Sequence, residues 1–317
     1  GVVDDLVLNN VKNPGVSGTT ATFAIETQNA SDATIDTGTA SGVTITAGTL
    51  TAASVVPASL NAGAVGNATA TFTTANLIPS TGKIVVTFPA GFTLSSGAAT
   101  TVTSPSGLDG MLTAAVAGSI VTITRSGGTN SASGIKSFTL TNIKNPSSTG
   151  LTGTFQLKTT NSSDATIDQN LSVAGVTIGA GNLSALSVTP VSLAAGAAGN
   201  TTAAFTNTNT IPVNGDIQIT FPTGFDVSGV TTATSAIDIT GILTASVSGQ
   251  VVTVNLGSGF GIGVVDDLVL NNVKNPGVSG LTGTFAVETQ NASDAVIDSG
   301  TAPAITITAG TLTAASV

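Results

Sequence analysis

Gly215–Phe225 reads GDIQITFPTGF, and its first seven residues decide the fold class. Polar and apolar residues alternate at period two, the spacing at which successive side chains leave opposite faces of a strand. Ile217, Ile219 and Phe221 are expected to face a core, and Asp216, Gln218 and Thr220 to face water. The Phe-Pro-Thr-Gly-Phe that follows is a tight reversal with a phenylalanine on each flank. The same design stands earlier as KIVVTFPAGF at Lys83–Phe92, with Ile84, Val86 and Phe88 on the inner face. Phe155-Gln156-Leu157-Lys158 and Phe23-Ala24-Ile25-Glu26 follow the same rule. Their outer residue changes from Glu26 to Lys158 and back to Glu288, as a solvated position allows.

These matches reflect a long-range period. Gly1–Val55 returns as Gly263–Val317 with about eight of fifty-five positions changed, all mildly, and a more diverged copy covers Thr139–Asp168. The Asn13-Pro14, Asn145-Pro146 and Asn275-Pro276 turns lie 132 and 130 residues apart. SVVPASL at Ser54 and SVTPVSL at Ser187 lie 133 apart. The expected organisation is therefore the second half of a unit at residues 1–53 and complete units at 54–186 and 187–317. A unit of about 130 residues is large enough to bury a core of its own. The segments Ile45–Val56, Ile178–Thr189 and Ile305–Val317 contain no Pro/Ser-rich hinge, so the last strand of one unit is expected to run nearly straight into the first strand of the next.

Turn signals recur every 8–15 residues, and Gly, Thr and Ser interrupt every window in which a helix could propagate. The expected fold is all-β, with one antiparallel β-sandwich per unit. Ten of the eleven phenylalanines recur at repeat-matched positions or in paired turns, so they read as core rather than as a stacking platform for a ligand.

The run SVTPVSLAAGAAGNTTAAF…IPVNGDIQITFPTGFDVSGV resembles the immunoglobulin-like β-sandwich repeats of very large bacterial and archaeal surface proteins, over both complete units. The resemblance implies an extracellular or cell-surface chain of tandem modules. Its role would be a filament or surface-layer component, or an adhesin stalk whose binding tip lies elsewhere.

Composition restricts the chemistry. The chain has no His, Cys, Trp or Tyr. Acid–base catalysis would have to rest on carboxylates and a few lysines, and a nucleophilic Ser or Thr would lack an imidazole. An enzyme is not expected. Charged residues are 7% of the chain and the net charge is −9, so the seven Lys and Arg cannot assemble a phosphate-binding surface. Nucleic acid is excluded as a partner on that ground. No apolar run reaches the ~18 residues of a membrane helix, and membrane insertion is not expected. Copies of the chain itself are the expected partners. Accessory repeats of a carbohydrate-active enzyme would need the exposed Trp and Tyr that are absent.

The most polar repeated motif is Asn29–Asp36, returning as Asn161–Asp168 and Asn291–Asp298. Its carboxylates, Asp32, Asp36, Asp164, Asp168, Asp294 and Asp298, are the calcium candidates, since hard oxygen ligands suit that ion. The spacing is sparser than in a dense calcium loop, and Asn and Asp also cap turns through their own backbone. No other cofactor or metal is expected. Lys12, Lys144 and Lys274 precede the Asn-Pro turns. They either cover strand ends or supply an amine for a lysine–asparagine cross-link. The pair Asp4-Asp5 returns as Asp266-Asp267 but is Lys136-Ser137 in the middle copy. Seven Asn-X-Ser/Thr sequons mark potential glycan positions: Asn29, Asn67, Asn161, Asn170, Asn182, Asn200 and Asn291.

Overall fold

A computed structural model describes residues 6–311. Its regular structure is entirely strand, and no helix occurs among the described residues. The chain divides into two compact bodies. One takes the residues up to Ala58 with Gly66–Ile143 and Gly153–Gly175. The other takes Ser59–Val65, Lys144–Thr152 and the chain from Val176 onward.

The second body contains a sandwich of two sheets. The four-stranded sheet runs Ser184–Pro190, Ala198–Asn207, Gly263–Lys274, Ala233–Thr234 in spatial order, and every pairing is antiparallel. The six-stranded sheet runs Gly181–Asn182, Val296–Ala302, Phe285–Gln290, Gly215–Thr220, Val251–Leu256, Leu243–Ser248. It is antiparallel except at the short Gly181–Asn182 edge, which pairs parallel to Val296–Ala302. One continuous core lies between the layers. Val188, Ala203, Phe205, Val265 and Leu270 meet Ile217, Ile219, Val252, Phe285 and Val287 there. The alternation read from Gly215–Phe221 sets this layer: Ile217, Ile219 and Phe221 are all buried.

The first body repeats the plan. Its four-stranded sheet is Thr51–Pro57, Val65–Thr74, Gly134–Lys144, Val102–Ser106. Its six-stranded sheet is Met111–Ala117, Ile120–Ser126, Lys83–Thr87, Phe155–Thr160, Thr166–Val173, Gly48–Thr49. Ile84, Val86, Phe88, Phe155 and Leu157 are all buried, as the period-two reading requires. In both sandwiches the phenylalanines of the Phe-Pro-x-Gly-Phe turn close on a third ring. Phe88, Phe92 and Phe155 have centroids 5.4–5.5 Å apart. Phe221, Phe225 and Phe285 lie 5.5–5.6 Å apart. Edge-to-face rings at such separations add attraction beyond the area they bury.

Two local features depart from the sequence reading. Asp216, expected to face water, is buried, and its Oδ1 accepts a 2.9 Å hydrogen bond from Asn255 Nδ2 on the adjacent strand. Its place at the end of the strand, under the Asn214 loop, outweighs the alternation. The segment Ile45–Val56 is also not one straight strand. Thr44–Ile45, Gly48–Thr49 and Thr51–Pro57 belong to three different sheets. The buried Leu50 marks the crossing, and Ala52 takes a positive φ of 46° just beyond it. Ala185 (φ 50°) occupies the matching place in the second sandwich.

Candidate functional site

The repeated Asn–Asp motif is where polar groups concentrate, and the fold gives its two carboxylates different roles. In Asn291–Asp298 the Asn291 Oδ1 accepts the N–H groups of Ser293 (2.9 Å) and Ala295 (3.1 Å). Asn161 does the same for Ser163 and Ala165, and Asn29 for Ser31 and Ala33. The asparagine side chain thus stands in for a backbone turn, as Asx turns do. Asp32, Asp164 and Asp294 sit at the apex with φ of 60–65°, a region that Asp tolerates better than most residues. Asp164 takes a 2.7 Å ion pair from Lys83.

The second carboxylate goes inward in the two complete sandwiches. Asp298 is fully buried, and its oxygens accept Thr208 N–H (3.1 Å), Thr208 Oγ1 (2.8 Å), Asn209 N–H (2.9 Å) and Asn209 Nδ2 (2.6 Å). Asp168 is equally buried and accepts Asn76 N–H (2.9 Å) and Asn76 Nδ2 (2.7 Å). A buried carboxylate needs such donors, because unpaired it would be strongly disfavoured. Gly48 and Gly181 make room for it: a Cβ on either would overlap the Asp168 or Asp298 carboxylate. This knot joins the strand carrying the aspartate, the crossing segment and the loop after the Phe72 or Phe205 strand. In Leu6–Ala53 the matching Asp36 is exposed, and among the described residues its carboxylate takes the Thr27 hydroxyl at 3.3 Å.

Among the described residues, the group of three or more acidic side chains whose oxygens approach within 4.8 Å is a different one, Asp238, Asp266 and Asp267. The pairing of Ala233–Thr234 with Val269–Leu270 brings the Asp238 loop beside the Asp266-Asp267 strand. Asp267 accepts Ser235 Oγ and the Ala236 and Ile237 N–H groups (both 2.6 Å). Burial pushes the Asp267 carboxyl up, but these hydrogen bonds outweigh burial and hold it below the ordinary value. The charge of Asp238 beside it pushes Asp266 above its ordinary value. Sequence reading passed over this cluster, because Asp238 lies in a loop about thirty residues upstream with no periodic signal of its own.

The asparagines of the Asn-Pro turns act as staples. Asn145 Nδ2 donates to Ser59 O (2.7 Å) and Asn61 O (2.9 Å), and Asn275 Nδ2 to Ser192 O (2.7 Å) and Ala194 O (3.0 Å). Each amide is therefore occupied by carbonyls rather than by the preceding lysine. Lys12 and Lys274 are exposed. The Asp226 carboxyl is held below its usual value by the Ser228 hydroxyl and N–H, and further by the Lys274 charge.

The sequons separate by what their amides already do. Asn67 and Asn200 are exposed on strands of the four-stranded sheets, and Asn182 on the short edge strand of a six-stranded sheet. Asn29, Asn161 and Asn291 use Oδ1 in the Asx turns. The Asn170 Nδ2 donates to Leu50 O at 3.2 Å.

One buried cation had no sequence signal. Arg125 is 1% exposed, and its guanidinium donates to the carbonyls of Ile78, Pro79, Asp109 and Thr129 at 2.6–2.9 Å. Burial pushes it below its ordinary value, opposed by the charge of Asp109. Lys136, also buried, is pushed down by burial and then by Arg125.

No family model matches the sequence, and no curated protein matches it. Solved structures do align. A type II cohesin dyad from the adaptor ScaA scaffoldin of Acetivibrio cellulolyticus is 14% identical, covering 78% of this chain and 95% of its own, at TM-score 0.22. A putative membrane anchored protein from Corynebacterium diphtheriae is 12% identical over 87% of this chain and 94% of its own, at TM-score 0.25. The N-terminal domain of the Streptococcus gordonii adhesin Sgo0707 is 12% identical over 76% of this chain and 59% of its own, at TM-score 0.29. At these values the likenesses carry no argument about what this chain does. Among the described residues no helix is long and apolar enough to cross a membrane.

Proposed function

We propose that this chain is a structural component of an extracellular filament or cell-surface array, and that it is not an enzyme. One observation carries the reading: the same sandwich is built twice, with the same phenylalanine triad and buried aspartate knot, and its motifs return a third time in Leu6–Ala53. Identical modules in series supply length and regular contacts rather than a single reaction centre. The chemistry-bearing side chains support this. The buried carboxylates, the Asn-Pro amides and Arg125 are all engaged in holding strands and loops together. The low charge of the surface suits close packing between copies, since interface cores are depleted in charge.

An adhesin stalk is the second reading, and a difference between the sandwiches favours it. The loop regions at Thr93–Ser106 and Asp226–Thr240 diverge. The first carries the five-residue strand Val102–Ser106, and the second only Ala233–Thr234 plus the acidic cluster. Negative-stain electron microscopy of native surface material, labelled with an antibody to this chain, separates the two. Uniform labelled fibres or a regular lattice are expected; isolated flexible beads would replace the array with the stalk.

A further inference from the structure

Each complete sandwich has four sheet edges, and three of them are blunted. In the six-stranded sheets one edge is the two-residue strand Gly48–Thr49 or Gly181–Asn182. In the four-stranded sheets one edge is Thr51–Pro57 or Ser184–Pro190, which is broken by a register shift and ends in proline. The other is Val102–Ser106, which holds Pro105 and a positive φ at Ser104, or the two-residue Ala233–Thr234. Shortness, proline and irregularity are what keep a strand edge from pairing with another chain. The remaining edge has none of them. Met111–Ala117 and Leu243–Ser248 pair along their whole length with Ile120–Ser126 and Val251–Leu256, without a register shift. They carry no charged residue and no proline. Among the described residues no strand lies on their outer side. Their side chains alternate between exposed and half-buried. The half-buried row of the second strand, Leu243, Ala245 and Val247, packs against the sandwich core and is left incompletely covered.

We propose that this edge is where copies of the chain pair laterally, each with the same edge of a second copy running antiparallel to it. The occupant is free in every copy, since the strand that accepts is also the strand that adds. The strand sequence fits itself. With Ala114 opposite Ala114 across a two-fold axis, Leu112 meets Val116 on the half-buried face and Met111 meets Ala117 on the exposed one. In the second sandwich, Ala245 opposite Ala245 brings Leu243 to Val247 and Thr244 to Ser246. A slip of one residue would turn one of the two half-buried rows to the opposite face. Main-chain hydrogen bonds supply the affinity of such strand addition, and the alternating side chains its register. Each copy has a net charge of −9, and a contact without charged residues adds no repulsion of its own. The edge occurs once in each sandwich, so every repeat offers the same contact, as a regular array requires.

The inference rests on the array reading and names the contact between its copies. Sedimentation velocity of the full chain over a concentration series tests it, with hydrogen exchange at each concentration. Reversible association is expected, with protection that rises with concentration over 111–117 and 243–248. Thr113 and Ala115 face each other across the contact, as do Thr244 and Ser246, and all four are exposed. Thr113→Lys, Ala115→Lys, Thr244→Lys and Ser246→Lys together set lysine opposite lysine. That variant is expected to weaken association by about tenfold or more, while the melting temperature of the dilute protein stays the same. The matching glutamate variant should behave alike. An equimolar mixture of the two is expected to associate again, because each lysine then faces a glutamate. A chain that stays monomeric up to about 1 mM overturns the inference. So does association that survives the lysines, protection that rises only elsewhere, or a mixture no tighter than either variant alone. Uniform labelled fibres in the microscopy beside any of these failures would keep the array and replace only this contact.

Discussion

Identical residues in this chain have different worth according to what surrounds them. Phe285 packs against Phe221 and Phe225 in a closed core, while Phe23 in the same repeat position stands half exposed. Phe221→Ala is expected to cost about 3–5 kcal/mol, and Phe23→Ala well under about 1 kcal/mol. Urea unfolding of the two variants beside the parent checks this, and equal losses would contradict the burial contrast. Arg125 is the most context-bound residue. Its guanidinium donates to four backbone carbonyls, of which Ile78 O and Pro79 O also accept the Ser131 and Gly82 N–H groups. Arg125→Ala removes all four bonds and the buried side chain and is expected to cost about 3 kcal/mol. Arg125→Lys should recover little, because an ammonium cannot reproduce the planar fork. Full recovery by lysine would mean that charge alone suffices there. Neither Arg125 nor the inward turn of Asp168 was legible from sequence. Period-two alternation reports which face a residue leaves, but not which loop closes over the end of its strand.

Each element is closed by a small set of side-chain-to-backbone bonds. The Asx turns rest on one asparagine oxygen that accepts two N–H groups, so Asn161→Ala and Asn291→Ala are each expected to cost about 1 kcal/mol, read by thermal denaturation. The crossing segment depends on a missing side chain. Gly181→Ala puts a methyl group into the Asp298 carboxylate, and the resulting shift is expected to cost about 1–3 kcal/mol. Adding Asp298→Ala removes the tightest part of the clash along with the carboxylate, leaving the approach to Asn209 Nδ2, so the double variant should lose less than the sum of the single losses. Strict additivity in that cycle would place Gly181 and Asp298 out of contact. The strands themselves were readable in outline from GDIQITF and KIVVTF. The division of Ile45–Val56 among three sheets was not, because it depends on which buried carboxylate the backbone passes.

At the scale of the whole molecule, charge sets the response to pH. The chain has no histidine, and ordinary carboxyl groups titrate near pH 4, so no side chain of ordinary pKa ionises between about pH 5 and 8. Hydrogen bonds from Thr129 and Ser228 hold Asp109 and Asp226 below their usual values. A carboxyl lowered by folding contributes stability that is present above about pH 4 and lost as pH falls through the lowered value. Asp266 runs the opposite way. Raised by Asp238, it contributes stability below about pH 4 that disappears as pH rises through its elevated value. The melting temperature is therefore expected to be nearly flat from about pH 6 to 8 and to fall in acid. Asp266→Asn should raise it at neutral pH and lose that advantage in acid. A titration by differential scanning calorimetry checks both, and a neutral-pH loss in Asp266→Asn would contradict the repulsion.

By itself the sequence determined the all-β class, the repeat and its period, the inner faces of the main strands and the absence of imidazole and thiol chemistry. Those properties follow from local alternation, turn residues and composition, which need no knowledge of distant neighbours. The tertiary structure alone decided which of two identical-looking aspartates is buried, where the acidic cluster forms and which phenylalanines close into triads. Burial and hydrogen bonding between residues scores of positions apart depend on which surfaces the folded sheets bring together. Copies with nearly the same letters therefore differ in burial: Asp298 is buried among loop donors, and Asp36 is exposed.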